Sequence, residues 1–326
     1  MTERRFRHKH LLGMDSLSAA DVRLVLDTAS AFFEVSRRPV RKVPTLRGKT
    51  VINLFFEAST RTRTSFELAA KRLSADVVNV AASGSSVTKG ETLLDTCRTL
   101  QAMHPDFLVL RHGSSGAPHY VARHLRCSVV NAVDGSHDHP TQALLDAFTI
   151  QRTLGTLNAL TVCICGDVEH SRVARSNAKL LQLFGCEVRI VGPETLLPRD
   201  SAALGVKPYS DLDQALEGAH VVMLLRLQRE RLRGSLLPTL REYSRKFGVS
   251  QDRLKRARQD AIVMHPGPMN RGVEIHPALA DSAFSAVLDQ VEAGVAVRMA
   301  LLYLLAQESE PDQDAAEPSL PSSKVG

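Results

Sequence analysis

Hydrophobic and polar positions follow two recurring patterns along the chain. Short apolar, β-branched runs such as TVINLFF at 50–56 predict buried strands, and longer stretches with apolar residues at helical spacing separate them. The predicted strands are 50–56, 77–80, 107–111, 128–132, 160–165, 187–191, 220–225 and 261–264. The predicted helices are 18–35, 61–73, 90–103, 117–125, 141–153, 172–184, 211–217, 236–246 and 251–258. Such alternation predicts an α/β fold with parallel sheets covered by helices on both faces.

The alternation is interrupted at 154–159 (LGTLNA), and we expect a domain boundary there between two doubly wound halves. Residues 284–306 have apolar residues at helical spacing and predict a long C-terminal helix. A helix this apolar must dock, and the first half is the expected host. The predicted domains are 1–149 plus 286–306, 150–285, and a disordered acidic tail at 307–326.

Composition places the chain among two-domain globular proteins, with 326 residues, 44% hydrophobic and 23% charged. No apolar run approaches the roughly 20 residues of a membrane span, and no apolar stretch of signal-peptide length follows the basic N-terminus. We therefore expect a cytoplasmic protein without membrane association. The five cysteines include no C-x-x-C, which predicts buried free thiols rather than disulfides or a zinc site.

The net charge of +6 is concentrated in one stretch, because residues 226–258 hold eleven Lys/Arg and three acids. A basic stretch raises the question of nucleic-acid binding. Only Tyr243 and Phe247 supply aromatic rings there, whereas proteins that stack on bases interleave several. The charge therefore favours a small anion as the ligand over a nucleic acid.

The segment after the first predicted strand, EASTRTRTSFE at 57–67, has the composition of an anion site at a helix start. Ser59 is a good N-cap, and Thr60 and Thr62 add hydroxyl groups to the first turn. The free N–H groups and the helix dipole favour an anion there. Arg61 adds a planar fork suited to phosphate oxygens. The alternative is an ordinary capped helix with solvated arginines.

A second helix start follows DGSHDHPTQ at 134–142. Pro140 at the first helical position makes His139 the cap residue and puts Gln142 on the first turn. A metal site at His137 and His139 is the less favoured alternative, since no third ligand is apparent, and an ordinary loop is another.

Other polar residues also follow strands, where ligands of open α/β sheets bind. They are Arg111, His112, Arg172, Arg226, Gln228 and His265. The chain has no G-x-G-x-x-G after a strand, no P-loop and no G-x-S-x-G elbow. The residues alone predict an enzyme or binder for a small, phosphorylated polyanion, without a dinucleotide.

Taken together, these segments resemble the aspartate/ornithine carbamoyltransferase family over residues 10–306. FFEASTRTRTSFELAAKRL (55–73) is similar to the family's carbamoyl-phosphate signature. The aspartate branch is indicated by four further motifs: VTKGETLLDT (87–96), HPTQALLD (139–146), LRLQRER (225–231) and HPGPMNRGVEI (265–275). Ornithine enzymes typically carry His-Pro-Cys-Gln and His-Cys-Leu-Pro instead. Gly267 stands where leucine is common in the family; because that position offers a backbone carbonyl, little loss of function is expected.

The resemblance implies carbamoyl transfer from carbamoyl phosphate to L-aspartate without a cofactor, and it implies a role for each matching residue. The implied carbamoyl-phosphate ligands are Ser59, Thr60, Arg61, Thr62, Ser85, Arg111, His139, Gln142, Gly267 and Pro268. The implied aspartate ligands are Lys89, Arg172, Arg226 and Gln228. Of these, the implied catalytic residues are Arg61, Thr62, Lys89, Arg111 and His139.

The family also implies an assembly, because the loop that carries Ser85 and Lys89 reaches into a neighbouring subunit's site. A homotrimer with shared sites is therefore expected. Family members occur as bare trimers, with nucleotide-binding regulatory chains or with dihydroorotase-like chains, and the sequence leaves that choice open. Two other functions also stay open: a transcarbamoylase acting on ornithine or another amine, and an inactive regulatory paralogue.

Overall fold

Two parallel sheets organise the computed structural model, which describes residues 5–81, 90–227 and 239–308. The first sheet has the order β2-β1-β3-β4. Its strands are β1 (Thr50–Phe55), β2 (Asp76–Ala81), β3 (Phe107–His112) and β4 (Ser128–Asp134). The second sheet has the order β7-β6-β5-β8-β9. Its strands are β5 (Thr161–Cys165), β6 (Glu187–Val191), β7 (Lys207–Tyr209), β8 (Val221–Leu224) and β9 (Ile262–Met264).

Every neighbouring pair of strands in both sheets is parallel, and helices connect them. The helices of the first part of the chain are α1 (Ala19–Ser36), α2 (Thr60–Arg72), α3 (Leu93–Gln101), α4 (Ala117–Ala122) and α5 (Pro140–Leu154). Those that follow are α6 (Arg172–Gln182), α7 (Leu212–Leu216), α8 (Leu240–Phe247), α9 (Gln251–Leu254), α10 (Pro277–Ala280) and α11 (Val287–Glu308). The predicted α/β fold with two doubly wound parallel sheets is confirmed.

Helix α11 packs against α1, α2 and α5, so the C-terminal helix docks on the elements around the first sheet as predicted. Its buried residues include Leu301, Leu302 and Leu305, none of which is exposed. The helix continues to Glu308, so the prediction that a disordered tail begins at residue 307 is wrong for the first two tail residues. Gln and Glu are good helix formers, which allows the helix to run on. The rest of the predicted tail, 309–326, lies outside the described residues.

All eight predicted strands are present, and the differences lie in short elements and at helix ends. Strand β7 was not predicted, because it has three residues and carries Pro208, which only a sheet edge tolerates. The four-residue helix α10 was also missed. The predicted helix 90–103 is too long: the hydroxyl of Thr92 accepts from the Asp95 N–H (3.2 Å), which starts α3 at Leu93.

Each sheet has one point where its strand order reverses, between β1 and β3 in the first sheet and between β5 and β8 in the second. Crevices outside the carboxyl ends of strands at such points bind ligands in open α/β sheets. We call β1–β4 with α1–α5 and α11 the first half, and β5–β9 with α6–α10 the second half.

The remaining sequence predictions concern cysteines and membranes. All five cysteines are buried free thiols, as predicted. Within residues 5–81, 90–227 and 239–308, no helix combines the length and apolar character needed to cross a membrane, α11 included.

Candidate active site

A cavity of about 440 Å³ lies between the two halves, at the carboxyl ends of strands from both sheets. Eleven of the fourteen residues implied as substrate ligands line it. They are Ser59, Thr60, Arg61, Thr62, Arg111, His139, Gln142, Arg172, Arg226, Gly267 and Pro268. The other three, Ser85, Lys89 and Gln228, lie outside the described residues. The structure thus brings the described candidates to one place, while their individual roles stay predictions.

The first turn of α2 forms one wall of the cavity. Ser59 occupies the N-cap position as predicted, but its side chain makes no capping hydrogen bond. The first N–H groups of any helix have no acceptor within the helix. In α2 these N–H groups are those of Thr60, Arg61 and Thr62, three residues that line the cavity. This wall can therefore hold an anion through backbone N–H groups, hydroxyls and one guanidinium.

The cavity lining is strongly cationic. Among the described residues that line it, no Asp or Glu occurs, whereas five are arginines: Arg61, Arg111, Arg172, Arg226 and Arg298. Holding cations this close together in a partly buried space is costly unless anions join them. The lining therefore fits a ligand with several negative charges.

Arg298 was not predicted as a site residue, although an arginine within the apolar run VAVRMALLYLLA of α11 was an available signal. Only 3% of the residue is exposed, and its guanidinium donates to Ser65 Oγ (3.0 Å) and the Gly294 carbonyl (2.9 Å). It also donates to Thr141 Oγ1 (3.3 Å). Burial lowers the pKa of Arg298 to about 10, so the side chain is still a cation near neutral pH.

Glu57 connects two of these arginines across the cavity. Its Oε2 lies 3.0 Å from a guanidinium nitrogen of Arg111 in the first half and 3.8 Å from one of Arg172 in the second half. Arg172 also donates to the carbonyl of Gly135. One carboxylate therefore balances part of the cationic charge and helps to fix the positions of both arginines.

His139 is the N-cap residue of α5, as predicted, and only 6% of it is exposed. Burial lowers the pKa of His139 well below its ordinary value. The positive charges of the cavity arginines Arg298, Arg172 and Arg111 lower it further. The imidazole is therefore neutral at physiological pH and can act as a neutral N–H donor.

Gln142 follows on the first turn of α5, and its Nε2 donates to Oδ1 of Asp146 (2.9 Å). The same carboxylate accepts from Gln290 Nε2 at Oδ1 (2.7 Å) and from Asn177 Nδ2 at Oδ2 (2.8 Å). Burial raises the pKa of Asp146 to about 6, against the opposing effect of these hydrogen bonds. Asp146 and Gln290 were not predicted from the sequence.

The loop after β9 brings Gly267 and Pro268 to the cavity. Within it, Nδ1 of His265 accepts from the Gly267 N–H (2.8 Å), which leaves Nε2 to donate to Glu274 Oε1 (3.2 Å). The Gly267–Pro268 peptide is cis, and Gly267 has a φ of +71°, a conformation that favours glycine. The buried His265–Glu274 pair thus helps to fix the conformation of this loop through the hydrogen bond to the Gly267 N–H.

His112 and His137, singled out in the sequence, do not line the cavity. Nδ1 of His112 accepts from the Ser114 N–H (2.9 Å), and His137 pairs with Asp134 (3.0 Å). Over the part of the chain that the structure describes, His, Cys, Asp and Glu nowhere form a group of three or more suited to a metal ion. A mechanism without metal or cofactor stays a prediction.

Two family models match the chain in succession. Residues 9–152 match the carbamoyl-phosphate-binding domain of aspartate/ornithine carbamoyltransferases. Residues 158–305 match the aspartate/ornithine-binding domain of the same family. Together the two models cover most of the chain.

Curated relatives include the aspartate carbamoyltransferase catalytic subunit of Sorangium cellulosum, 64% identical over 313 residues, with 96% of this chain and 98% of the relative covered. That of Syntrophotalea carbinolica is 60% identical over 300 residues, covering 92% and 96%. Among solved structures, aspartate transcarbamoylase from Trypanosoma cruzi in complex with carbamoyl phosphate and aspartate matches with a TM-score of 0.83 and 32% identity, covering 91% and 97%. Ornithine carbamoyltransferase from Pyrococcus furiosus matches with a TM-score of 0.82 and 28% identity, covering 93% and 98%.

Proposed function

The chain belongs to the aspartate/ornithine carbamoyltransferase family, and on that premise we propose that it transfers the carbamoyl group of carbamoyl phosphate to the amine of L-aspartate. The products are N-carbamoyl-L-aspartate and phosphate, and the reaction is the second step of de novo pyrimidine biosynthesis. One observation carries the proposal: five arginines and the N-terminus of a helix surround a single cavity whose described lining holds no acid. Carbamoyl phosphate and aspartate together bring several negative charges to such a place.

The phosphate group binds at the first turn of α2. Ser59, Thr60 and Thr62 supply hydroxyl and backbone N–H donors, and Arg61 grips two oxygens. Ser85 supplies a further donor from a neighbouring subunit. Cations and N–H groups here also stabilise the charge that the phosphate gains as it leaves.

The carbamoyl carbonyl oxygen accepts hydrogen bonds from Arg111, His139 and Thr62, which together form an oxyanion hole. The neutral state of His139 suits this role, because a fixed N–H donor stabilises a developing oxyanion without any proton transfer. The carbamoyl NH2 group donates to Oε1 of Gln142 and to the carbonyls of Gly267 and Pro268. Acceptors on one side and donors on the other orient the planar carbamoyl group.

Aspartate binds on the side of the second half. Arg172 and Arg226 each pair with one carboxylate, and Gln228 and Lys89 complete the site. Paired arginines favour a dicarboxylate over ornithine, whose side chain ends in a cation. This charge pattern supports aspartate as the acceptor.

The reaction proceeds without a covalent enzyme intermediate. The neutral amine of aspartate attacks the carbamoyl carbon, forming a C–N bond and a tetrahedral oxyanion. The bond between that carbon and the phosphate oxygen then breaks, and the phosphate leaves with a proton of the attacking amine. The protein contributes orientation of two substrates and preset donors, for which typical contributions are about 7–11 and about 3–4 kcal/mol per donor.

The assembly and location follow from the same family membership. The active form is a cytoplasmic homotrimer in which Ser85 and Lys89 act in the site of a neighbouring subunit. Regulatory or dihydroorotase-like chains are additional candidate partners. The first half, as residues 1–149 plus 286–306, binds carbamoyl phosphate, and the second, as 150–285, binds aspartate.

The test is formation of carbamoyl-aspartate from carbamoyl phosphate, with aspartate and ornithine assayed side by side. We expect turnover with aspartate alone and its loss in Arg61→Ala. Arg63→Ala, which removes an exposed arginine outside the cavity on the same helix, is the matched control and keeps activity. No turnover by a folded wild-type oligomer would overturn the proposal, and turnover with ornithine alone would move the protein to the other branch.

A further inference from the structure

The buried carboxylate of Asp146 contacts two cavity side chains but does not line the cavity. No part of Asp146 is exposed, and its Oδ1 accepts from Nε2 of both Gln142 and Gln290. Both glutamines line the cavity. Asp146 therefore lies directly behind the wall against which the carbamoyl group is proposed to bind.

The hydrogen bond to Asp146 fixes which end of the Gln142 amide faces the ligand. An ionised carboxylate only accepts, so it must meet the NH2 end of the amide. That leaves Oε1, an acceptor, as the remaining polar atom of Gln142. A reversed amide would set Oε1 against the carboxylate and present a donor to the ligand's own NH2 group.

The amide of Gln290 also needs Asp146 as the acceptor for its NH2 group, and the reason does not involve the ligand. Its Oε1 accepts from the backbone N–H of His265 (2.9 Å), a group that can only donate. Nε2 of Gln290 is therefore turned away from His265, and it donates to Asp146. Through this path Asp146 also supports the loop that carries Gly267 and Pro268.

We propose that Asp146 is a positioning residue for substrate selection. By accepting from Gln142 and Gln290 it holds three acceptors, Gln142 Oε1 and the carbonyls of Gly267 and Pro268, ready for the NH2 group of the ligand. The site thereby selects an acyl phosphate that carries NH2 over one that carries a methyl group. This inference rests on the proposed function, because the ligand is carbamoyl phosphate.

Three ligands separate this role from a general structural one. Acetyl phosphate has nearly the shape of carbamoyl phosphate but no N–H donor, and inorganic phosphate tests the α2 site alone. The KM of carbamoyl phosphate and the competitive inhibition constants of the other two are measured at saturating aspartate. The ratio of the acetyl phosphate constant to that KM reports the selection.

Asp146→Ala removes the acceptor, and we expect the ratio to fall about 10- to 100-fold, while the inhibition constant of inorganic phosphate changes less than about threefold. If that variant does not fold, Asp146→Leu, which fills the space without an acceptor, replaces it. Gln142→Ala causes part of the same loss, and adding Asp146→Ala to it lowers the ratio by less than Asp146→Ala does in the wild type, because one of the two paths from Asp146 runs through Gln142 and the other through Gln290.

Two matched variants keep the acceptor oxygen. In Asp146→Asn the new side-chain oxygen takes the place of Oδ1, and its NH2 group faces Asn177. Oδ1 of Asn177, which has no hydrogen-bond partner in the described part of the chain, accepts from it once that amide turns. The turned amide gives up the hydrogen bond from Asn177 Nδ2 to the Val173 carbonyl (3.0 Å). Of the hydrogen bonds to Asp146, Asn177→Ala removes only the one that Oδ2 accepts. Both variants are expected to keep the selection ratio within about threefold of wild type.

Retention of the ratio in a folded Asp146→Ala or Asp146→Leu protein overturns the inference. So does its collapse in Asp146→Asn or Asn177→Ala, since the carboxylate charge or general packing would then be responsible. A wild-type protein that does not turn over carbamoyl phosphate fails at the earlier step and rejects the proposed function together with the inference.

Discussion

The backbone of Gly267 lies directly against the guanidinium of Arg61. A β-carbon on Gly267 would come to 3.0 Å from Cζ and 3.1 Å from Nε of Arg61. Arg61 belongs to the helix start proposed to bind phosphate, whereas Gly267 belongs to the loop proposed to bind the carbamoyl amine. A side chain at residue 267 would therefore press on the end of the Arg61 side chain, where the two walls of the cavity meet.

Gly267→Ala is expected to lower kcat/KM for carbamoyl phosphate about 10- to 100-fold, because the new methyl group displaces the Arg61 fork from the phosphate. Gly218→Ala is the matched control. Gly218 has a similar φ of +66°, and a β-carbon there meets nothing within 4 Å. Both substitutions strain the backbone, but only the first touches Arg61. Equal steady-state kinetics of the two variants would show that the contact between residue 267 and Arg61 does not affect catalysis.

His139 is expected to act as a neutral donor. Because its pKa is far below 6.5, the ring stays uncharged down to acid pH and adds no inflection near pH 6.5 to the pH profile of kcat/KM. His139→Ala should lower kcat about 100- to 1,000-fold, as loss of one oxyanion donor does. His139→Asn keeps a neutral N–H donor and should lose less.

The measurement is the pH profile of the wild type beside that of His139→Asn. The two profiles should have the same shape, with the variant lower at every pH. An inflection near neutrality that is present in the wild type and absent from His139→Asn would instead identify His139 as a titrating base.

Asp146 is expected to make the folded protein less stable as pH rises. Its folded pKa of about 6 is above the ordinary value of 3.8, so the folded state binds this proton more tightly than the unfolded state. The stabilisation is fully present below pH 3.8 and is lost as pH rises through about 6. The difference of roughly two pKa units corresponds to about 3 kcal/mol of unfolding free energy.

Other carboxylates also titrate in this range, so the measurement compares two proteins. The unfolding free energy of Asp146→Asn minus that of the wild type, from denaturant titrations between pH 4 and 7, should grow by about 2 kcal/mol with rising pH, the rest of the difference lying outside this range. A difference that does not change with pH would mean that the folded pKa of Asp146 is ordinary.

The sequence predicts the parts of this molecule that local patterns record. Strand ends followed by polar residues identified Arg111, His139 and Arg172, because parallel strands place their carboxyl ends together. The same reasoning could not find Asp146 and Gln290. Each is a polar residue on the buried face of a helix, and they meet across 144 positions of sequence. No local pattern encodes that distance.

The sequence also predicts short elements and helix ends poorly. Strand β7 pairs with β6 at a sheet edge, whereas its own three residues, which include Pro208, carry no strand pattern. Ser59 was correctly placed at the helix start, but its side chain does not cap the helix. Sequence preference identifies the cap position but not whether the side chain makes the capping hydrogen bond.

The docking of α11 on α1, α2 and α5 has a consequence for synthesis on the ribosome. The first half emerges first, yet its core lacks Leu301, Leu302 and Leu305 until almost the whole chain has been made. We expect the second half to reach its native state first, although nascent chains usually fold from the N-terminus. In stalled nascent chains with residues up to 286 outside the ribosome, the first half should be cleaved by protease. In chains with residues up to 308 outside the ribosome, the first half should be protected. Protection of the first half in the shorter chains would show that it completes its core without the helix.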